Sequence, residues 1–227
     1  MEQLTRYLFE NLGDKVWPRM LEHVTLSGTA LLIALVIALP VGLAISKLKP
    51  AAAPVLGVLG VIYTIPSFAL FAFLVPITGI GTTPALTALI AYALVVLVHN
   101  TMVAFNGVDP AVREAAKGMG MSPLQSLWRV EIPLAMPIII AGIRIAALST
   151  IGLTTIAAWI GAGGMGQLLR DGMNDPTYSK LYAGIISIGL IAVAADLVFR
   201  LLERLVSVPA QQKANKSPLR DMLVKRA

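Results

Sequence analysis

The chain has 227 residues, of which 57% are hydrophobic and 13% charged, with mean hydropathy +0.80 and no cysteine. Soluble domains carry about 25% charged residues, so this deficit marks an integral membrane protein with room for one helical bundle. Disulfide and thiolate chemistry are excluded, and His23 and His99, in different segments, are too few for a zinc site. The net charge of +6 does not point to nucleic acid, because the basic residues flank apolar runs and do not form one soluble face.

Residues 1–22 are expected to lie on the outer surface. Leu4, Tyr7, Leu8 and Leu12 are spaced for one face of an interfacial helix. Glu2, Glu10 and Asp14, with no apolar core among them, do not read as a cleavable signal, so the first span is expected to serve as its own insertion signal. A transmembrane domain then covers 23–205. A bilayer core of about 30 Å takes roughly 20 apolar residues per helix. Five segments qualify, at about 24–46, 54–75, 84–105, 133–160 and 181–202. Strands are excluded, because an open sheet edge has no partners in lipid and these runs are too long for barrel strands. Residues 206–227 read as a solvated basic tail.

Within the second span, Pro66 in Thr64-Ile65-Pro66-Ser67-Phe68 is expected to kink the helix, either as a gate hinge or as an ordinary membrane proline. Tyr63, Phe68, Tyr92 and Trp159 either line a path or serve as packing and interfacial anchors. His99-Asn100 is expected to hydrogen-bond between helices. Arg144 falls near mid-membrane in the fourth span, where an Arg costs about 2.5–3.5 kcal/mol to insert. It must face the interior, a partner subunit or a wet path; Asp196 is one candidate partner, and its role is either structural or in gating.

Between the third and fourth spans lies a polar, helix-breaking segment, 107–133. Asp109-Pro110 is a helix start, Gly118 and Gly120 allow a sharp turn, and Ser122 with Gln125 has capping-box spacing. A helix, a glycine corner, a second helix and a return to the membrane are therefore expected. So short a helix needs something to pack on, either its own bundle or a groove on another protein. Glu114, near the helix start, is favoured by the dipole and is placed to pair with Arg113, Lys117 or a partner.

With this segment in the cytoplasm, twelve Lys/Arg lie inside and five outside, which predicts an outer N-terminus and an inner C-terminus. Gly161, Gly163 and Gly166 match a dinucleotide fingerprint, but a membrane span precedes them and no acidic residue follows at the right distance. A mobile outer loop, touching a receptor or shaping a gate, is expected instead. No P-loop is present, so any ATP chemistry is expected from another subunit.

The segment also resembles the EAA signature of ABC importer permeases. Its Glu-Ala-Ala, Gly and aliphatic-x-aliphatic-Pro positions are here Glu114, Ala115, Ala116, Gly120, Val130, Ile132 and Pro133. Val130 to Ala135, Pro137 to Ile139, Ala141 to Arg144, Thr64 to Ser67 and Trp159 to Gly164 are similar to permeases for glycine betaine, carnitine and choline. The resemblance implies an all-α membrane protein with about five transmembrane helices and a cytoplasmic coupling-helix pair, the small type I ABC importer permease fold. It implies an ATPase dimer docked at Arg113, Glu114, Ala115, Ala116, Lys117, Gly120 and Pro133. It also implies an external substrate-binding protein, a second permease copy or paralogue, and a bacterial inner membrane. ATP and Mg would sit on the ATPase and no cofactor on this chain, which would not itself be an enzyme. Tyr63, Pro66, Phe68, Arg144 and Trp159 are the candidate path or gate residues. The alternatives are a permease for another small solute such as an amino acid, an ion-coupled secondary transporter using Arg144, Asp196 and His99, and a non-transporting scaffold.

Overall fold

A computed structural model describes Tyr7 and residues 10–206 of the chain. Leu4, Leu8 and the tail beyond Val206 lie outside the described residues. The long helices are α1 (Trp17–Lys47), α2 (Lys49–Thr64), α3 (Ser67–Thr78), α4 (Thr82–Asn106), α7 (Ile132–Ala157) and α9 (Ser179–Val206). Between them lie the short α5 (Pro110–Gly118), α6 (Pro123–Ser126) and α8 (Gly166–Met173). Among the described residues four stretches are long and apolar enough to cross a membrane, and the bent pair α2–α3 makes a fifth when counted as one span. Four to five candidate spans agree with the expectation of about five.

The packing follows from small residues set in stripes. Ala30, Ala34, Ala38 and Gly42 recur every fourth residue of α1 and are all buried. Such a stripe lets two backbones approach closely where lipid supplies no hydrophobic drive. It lies against α4, whose Ala85, Ala88, Leu89, Ala93 and Leu97 form the matching core. Helix α4 is the centre of the bundle, with α1 and α7 on two sides and α2 and α3 leaning on it. At the α4–α7 contact, a Cβ added to Gly142 would sit 2.5 Å from the Cβ of Asn100, so only glycine fits. Asn100 itself donates to the Val96 carbonyl of its own helix at 2.8 Å. His99 is exposed and shows no hydrogen bond among the described residues. The expected inter-helix bonding of this pair is thus replaced by close packing against Gly142.

Two segments differ from expectation. First, the second span is broken rather than kinked. Helix α2 stops at Thr64, Ile65 is extended (ψ 126°), and α3 leaves at 94°. Proline disfavours helical geometry in the residue before it, which stops α2 at Ile65. Second, the glycine-rich loop is tied down. Gly161, Gly163 and Gly164 all have φ between 75° and 86°, where an L side chain would be strained. The Glu22 carboxylate accepts the Gly164 N–H at 3.0 Å, and the Gly81 N–H donates to the Ile160 carbonyl at 2.9 Å. Buried His23 lies beneath, its Nε2 3.0 Å from the Ile151 carbonyl. These three glycines build a compact corner between α1, α4 and α7, and nothing in the sequence signals the part Glu22 takes in it.

Candidate functional site

The segment between α4 and α7 folds as an elbow. Asp109 caps α5 by accepting the Ala111 N–H at 2.8 Å. Helix α5 ends at Gly118, and Gly120 turns the chain with φ +77°. Ser122 and Gln125 then close a reciprocal capping box at the start of α6. One turn of π-helix, Leu127–Glu131, leads into α7, whose opening residues include Pro133.

One buried carboxylate fixes this elbow to the bundle. Glu131 is 5% exposed. It accepts a hydrogen bond from Lys47 at the end of α1 and lies 3.2 Å from Arg113 Nε on α5. Arg113 also donates through Nη2 to the Phe105 carbonyl near the end of α4, where the helix dipole favours a cation. Two side chains therefore link the elbow to the ends of α1 and α4 and to the start of α7. Glu131 carries no signal of this role in the sequence, because an acid beside a helix start looks like an ordinary dipole-matched residue.

The elbow's outer face is open. Glu114, Ala115 and Lys117 are exposed, and Glu114 has no ion pair among the described residues. Ala116 alone of the Glu-Ala-Ala run is buried. Met119, Leu124 and Trp128 are 69%, 64% and 64% exposed. Beneath them lies a cleft of about 680 Å³ lined by Lys47, Arg113, Lys117, Leu124 and Glu131 among others. A charged frame carrying an apolar, water-facing patch is what a docking partner would cover.

A second cavity, of about 490 Å³, sits at the broken span and is lined by Tyr63, Thr64, Pro66, Ser67, Tyr92 and Thr150, with further residues of α4 and α7. The Tyr92 hydroxyl donates to the Ile65 carbonyl, the acceptor at the break. Tyr63 meets Tyr92 edge to face, with ring centroids 6.1 Å apart.

A family model described as the binding-protein-dependent transport system inner membrane component matches residues 21–208. The chain belongs to this family. The permease is 33% identical over 213 residues to the choline transport system permease protein OpuBB of Bacillus subtilis, covering 94% of this chain and 98% of the relative. It is 35% identical over 207 residues to the glycine betaine/carnitine/choline transport system permease protein OpuCB of the same organism, covering 91% and 95%. It is 40% identical over 202 residues to the osmoprotectant import permease protein OsmW of Salmonella typhimurium, covering 87% and 94%. Among solved structures it is similar to the MetNI methionine ABC transporter in inward-facing conformations, with TM-score 0.78 and 20% identity over 85% of this chain and 96% of that one. That likeness establishes the type I importer permease fold.

Of the five path candidates in the permease, Tyr63 and Pro66 line the cavity at the break and the other three do not. Phe68 and Trp159 are exposed elsewhere on the surface. Arg144 points to α9, where its Nε lies 3.8 Å from Asp196 and its Nη1 3.3 Å from Glu203. The expected Arg144–Asp196 pair is present, with a second carboxylate that the sequence did not single out. Asp196 is shared with Arg200 at 2.6 Å, so the fourth and fifth spans are joined by a charge network away from the cavity.

Proposed function

We propose that this permease imports quaternary ammonium osmoprotectants such as choline, glycine betaine or carnitine by alternating access, driven by an ATPase dimer that docks on the elbow. The observation that carries the coupling is the Glu131 anchor. A force applied to the exposed face of α5 passes through Arg113 to α4 and through Glu131 to α1 and α7. Ion pairs of this kind give register more than stability, which is what a transmitting joint requires. In this reading ATP and Mg are held by the ATPase, no cofactor is bound by this chain, and hydrolysis happens on the partner. An external binding protein delivers the cargo, and a second permease copy or paralogue completes the path. The substrate class follows from the relatives, which are named for choline, glycine betaine and carnitine.

The elbow faces the cytoplasm, the N-terminus is outside and the C-terminus inside. The docking residues are Arg113, Glu114, Ala115, Ala116, Lys117 and Gly120, with Pro133 setting the return to the membrane. In this reading the functional units are a surface segment at 1–22, a transmembrane domain at 23–205 with its coupling segment at 107–133, and a basic tail at 206–227.

The test is uptake of radiolabelled choline, glycine betaine and carnitine by proteoliposomes holding the permease, its ATPase and its binding protein. Wild type is expected to take up at least one of them in an ATP-dependent manner. Glu114→Lys is expected to insert normally yet lose uptake while ATP hydrolysis continues. Wild-type uptake by that variant at normal expression rejects the docking role of Glu114.

A further inference from the structure

The cavity at the break has a specific chemistry. None of its lining residues is charged. Arg144, which would repel a cation, is turned away and neutralised by Asp196 and Glu203. Its α7 wall carries Ala146, Gly152 and the hydroxyls of Ser149 and Thr150, with Leu153 and Ile156 as its apolar part. Two aromatic rings meet on the opposite side, Tyr63 and Tyr92, with 67° between their planes. Tyr92 is held in place by its bond to Ile65. Tyr63 is 59% exposed.

We propose that Tyr63 and Tyr92 form an aromatic corner that holds the methylated ammonium group of the cargo at the broken span. This rests on the osmoprotectant reading above and names the residues that carry it. A quaternary ammonium ion has no N–H to satisfy, so it needs no directed acceptor or carboxylate in this cavity, whereas a primary ammonium has three donors to pair. Its charge is spread over methyl groups and is attracted to the faces of aromatic rings within about 6 Å. The 6.1 Å between centroids lets one cation meet both rings. A corner without a carboxylate holds such an ion weakly, and a transport site must release what it binds. The volume of about 490 Å³ lies in the range of small-molecule sites, roughly 300–1,000 Å³. The ends of the broken helix add to this. Carbonyls at the end of α2 favour the cation, and N–H groups at the start of α3 favour the carboxylate of a betaine.

The experiment has two arms. Uptake by the complete wild-type importer in proteoliposomes establishes whether choline, glycine betaine or carnitine is cargo. Binding of tritiated choline and glycine betaine to the permease–ATPase complex in nanodiscs, with the binding protein left out, then reads the corner alone. Tyr63→Leu is expected to weaken binding about 3- to 30-fold, while Tyr63→Phe, which keeps the ring, stays within about 2-fold of wild type. The neutral carbon isostere 3,3-dimethylbutan-1-ol is expected not to compete with choline. If uptake is established but Tyr63→Leu binds as wild type does, or the neutral isostere competes as well as choline itself, the aromatic corner is overturned and the import reading stands. If the wild-type importer takes up none of the three, both fall together.

Discussion

Single carboxylates decide much of this permease. Glu131 is buried while Lys47 and Arg113 are half-exposed, so removing the acid frees a Lys47 ammonium that can rehydrate but leaves the buried Arg113 Nε without its counter-charge. Glu131→Gln keeps the shape and deletes the charge. It is expected to destabilise the elbow by about 1–3 kcal/mol, less than the loss of one partner from a fully buried pair. The measurement is thermal unfolding of the purified complex, and an unchanged midpoint rejects the anchor. Asp175, in the turn before α9, behaves differently. Its carboxylate accepts the Thr177 hydroxyl at 2.7 Å, the Thr177 N–H at 3.0 Å and an ion pair from Lys180 at 3.0 Å. The Thr177 hydrogen bonds, with Lys180 behind them, pull its pKa from 3.8 to about 2. A depressed carboxyl pKa stabilises the fold above the unfolded value and loses that contribution as pH falls through the folded one. The turn is therefore expected to be indifferent to pH from 5 to 9. Thr177→Val should bring the Asp175 midpoint back toward 3.8 in a carbon-detected carboxyl titration, and a midpoint still near 2 would show that Lys180 alone suffices.

Helices and corners show why some of this was legible in the sequence and some was not. The spans are local in origin: long apolar runs must be helical in lipid, and hydropathy alone places them. The elbow was legible for the same reason. Its caps are made by residues two or three positions apart, as Asp109 with Ala111 and Ser122 with Gln125 show. What escaped was tertiary. The 94° break needs Tyr92, 27 residues from Ile65, to hold the freed carbonyl. The loop from Gly161 to Gly164 read as loose because Glu22, 142 residues away from Gly164, is invisible to any local rule. Glu131 escaped likewise, with Lys47 84 residues from it. Glycines divide along this line too. Gly142 faces Asn100, and Gly142→Val is expected to push α4 and α7 apart at a cost of about 1–3 kcal/mol. Gly189 has nothing within 4 Å of where a Cβ would stand, so Gly189→Ala should be neutral or slightly stabilising. Unfolding of both variants in the same detergent checks the contrast, and equal stability would mean that the α4–α7 contact yields easily.

The molecule as a whole is longer than the membrane it crosses. Helical turns run from Leu12 to Lys47 without a break, 36 residues, which at 1.5 Å each span about 54 Å against a hydrocarbon core of about 30 Å. The excess has to emerge on one or both sides. Lys47, at one end of α1, is bound to Glu131 of the elbow, so the elbow lies beyond the membrane on that side, and Trp17 and the glycine corner lie toward the other. The sequence count of twelve basic residues to five supports the proposed cytoplasmic elbow through the positive-inside bias, and labelling tests it. The chain has no cysteine, so single-cysteine variants report orientation without a background. Met119→Cys on the elbow and Asn174→Cys at the end of α8 both place the thiol at exposed positions. In intact cells a membrane-impermeant maleimide is expected to label Asn174→Cys and to reach Met119→Cys only after permeabilisation. Adding the ATPase should then protect Met119→Cys and leave Asn174→Cys unchanged, because docking covers one face of the elbow and nothing outside. Labelling of Met119→Cys in intact cells would put the elbow on the wrong side of the membrane for any cytosolic motor, and the coupling role of Glu131 would go with it.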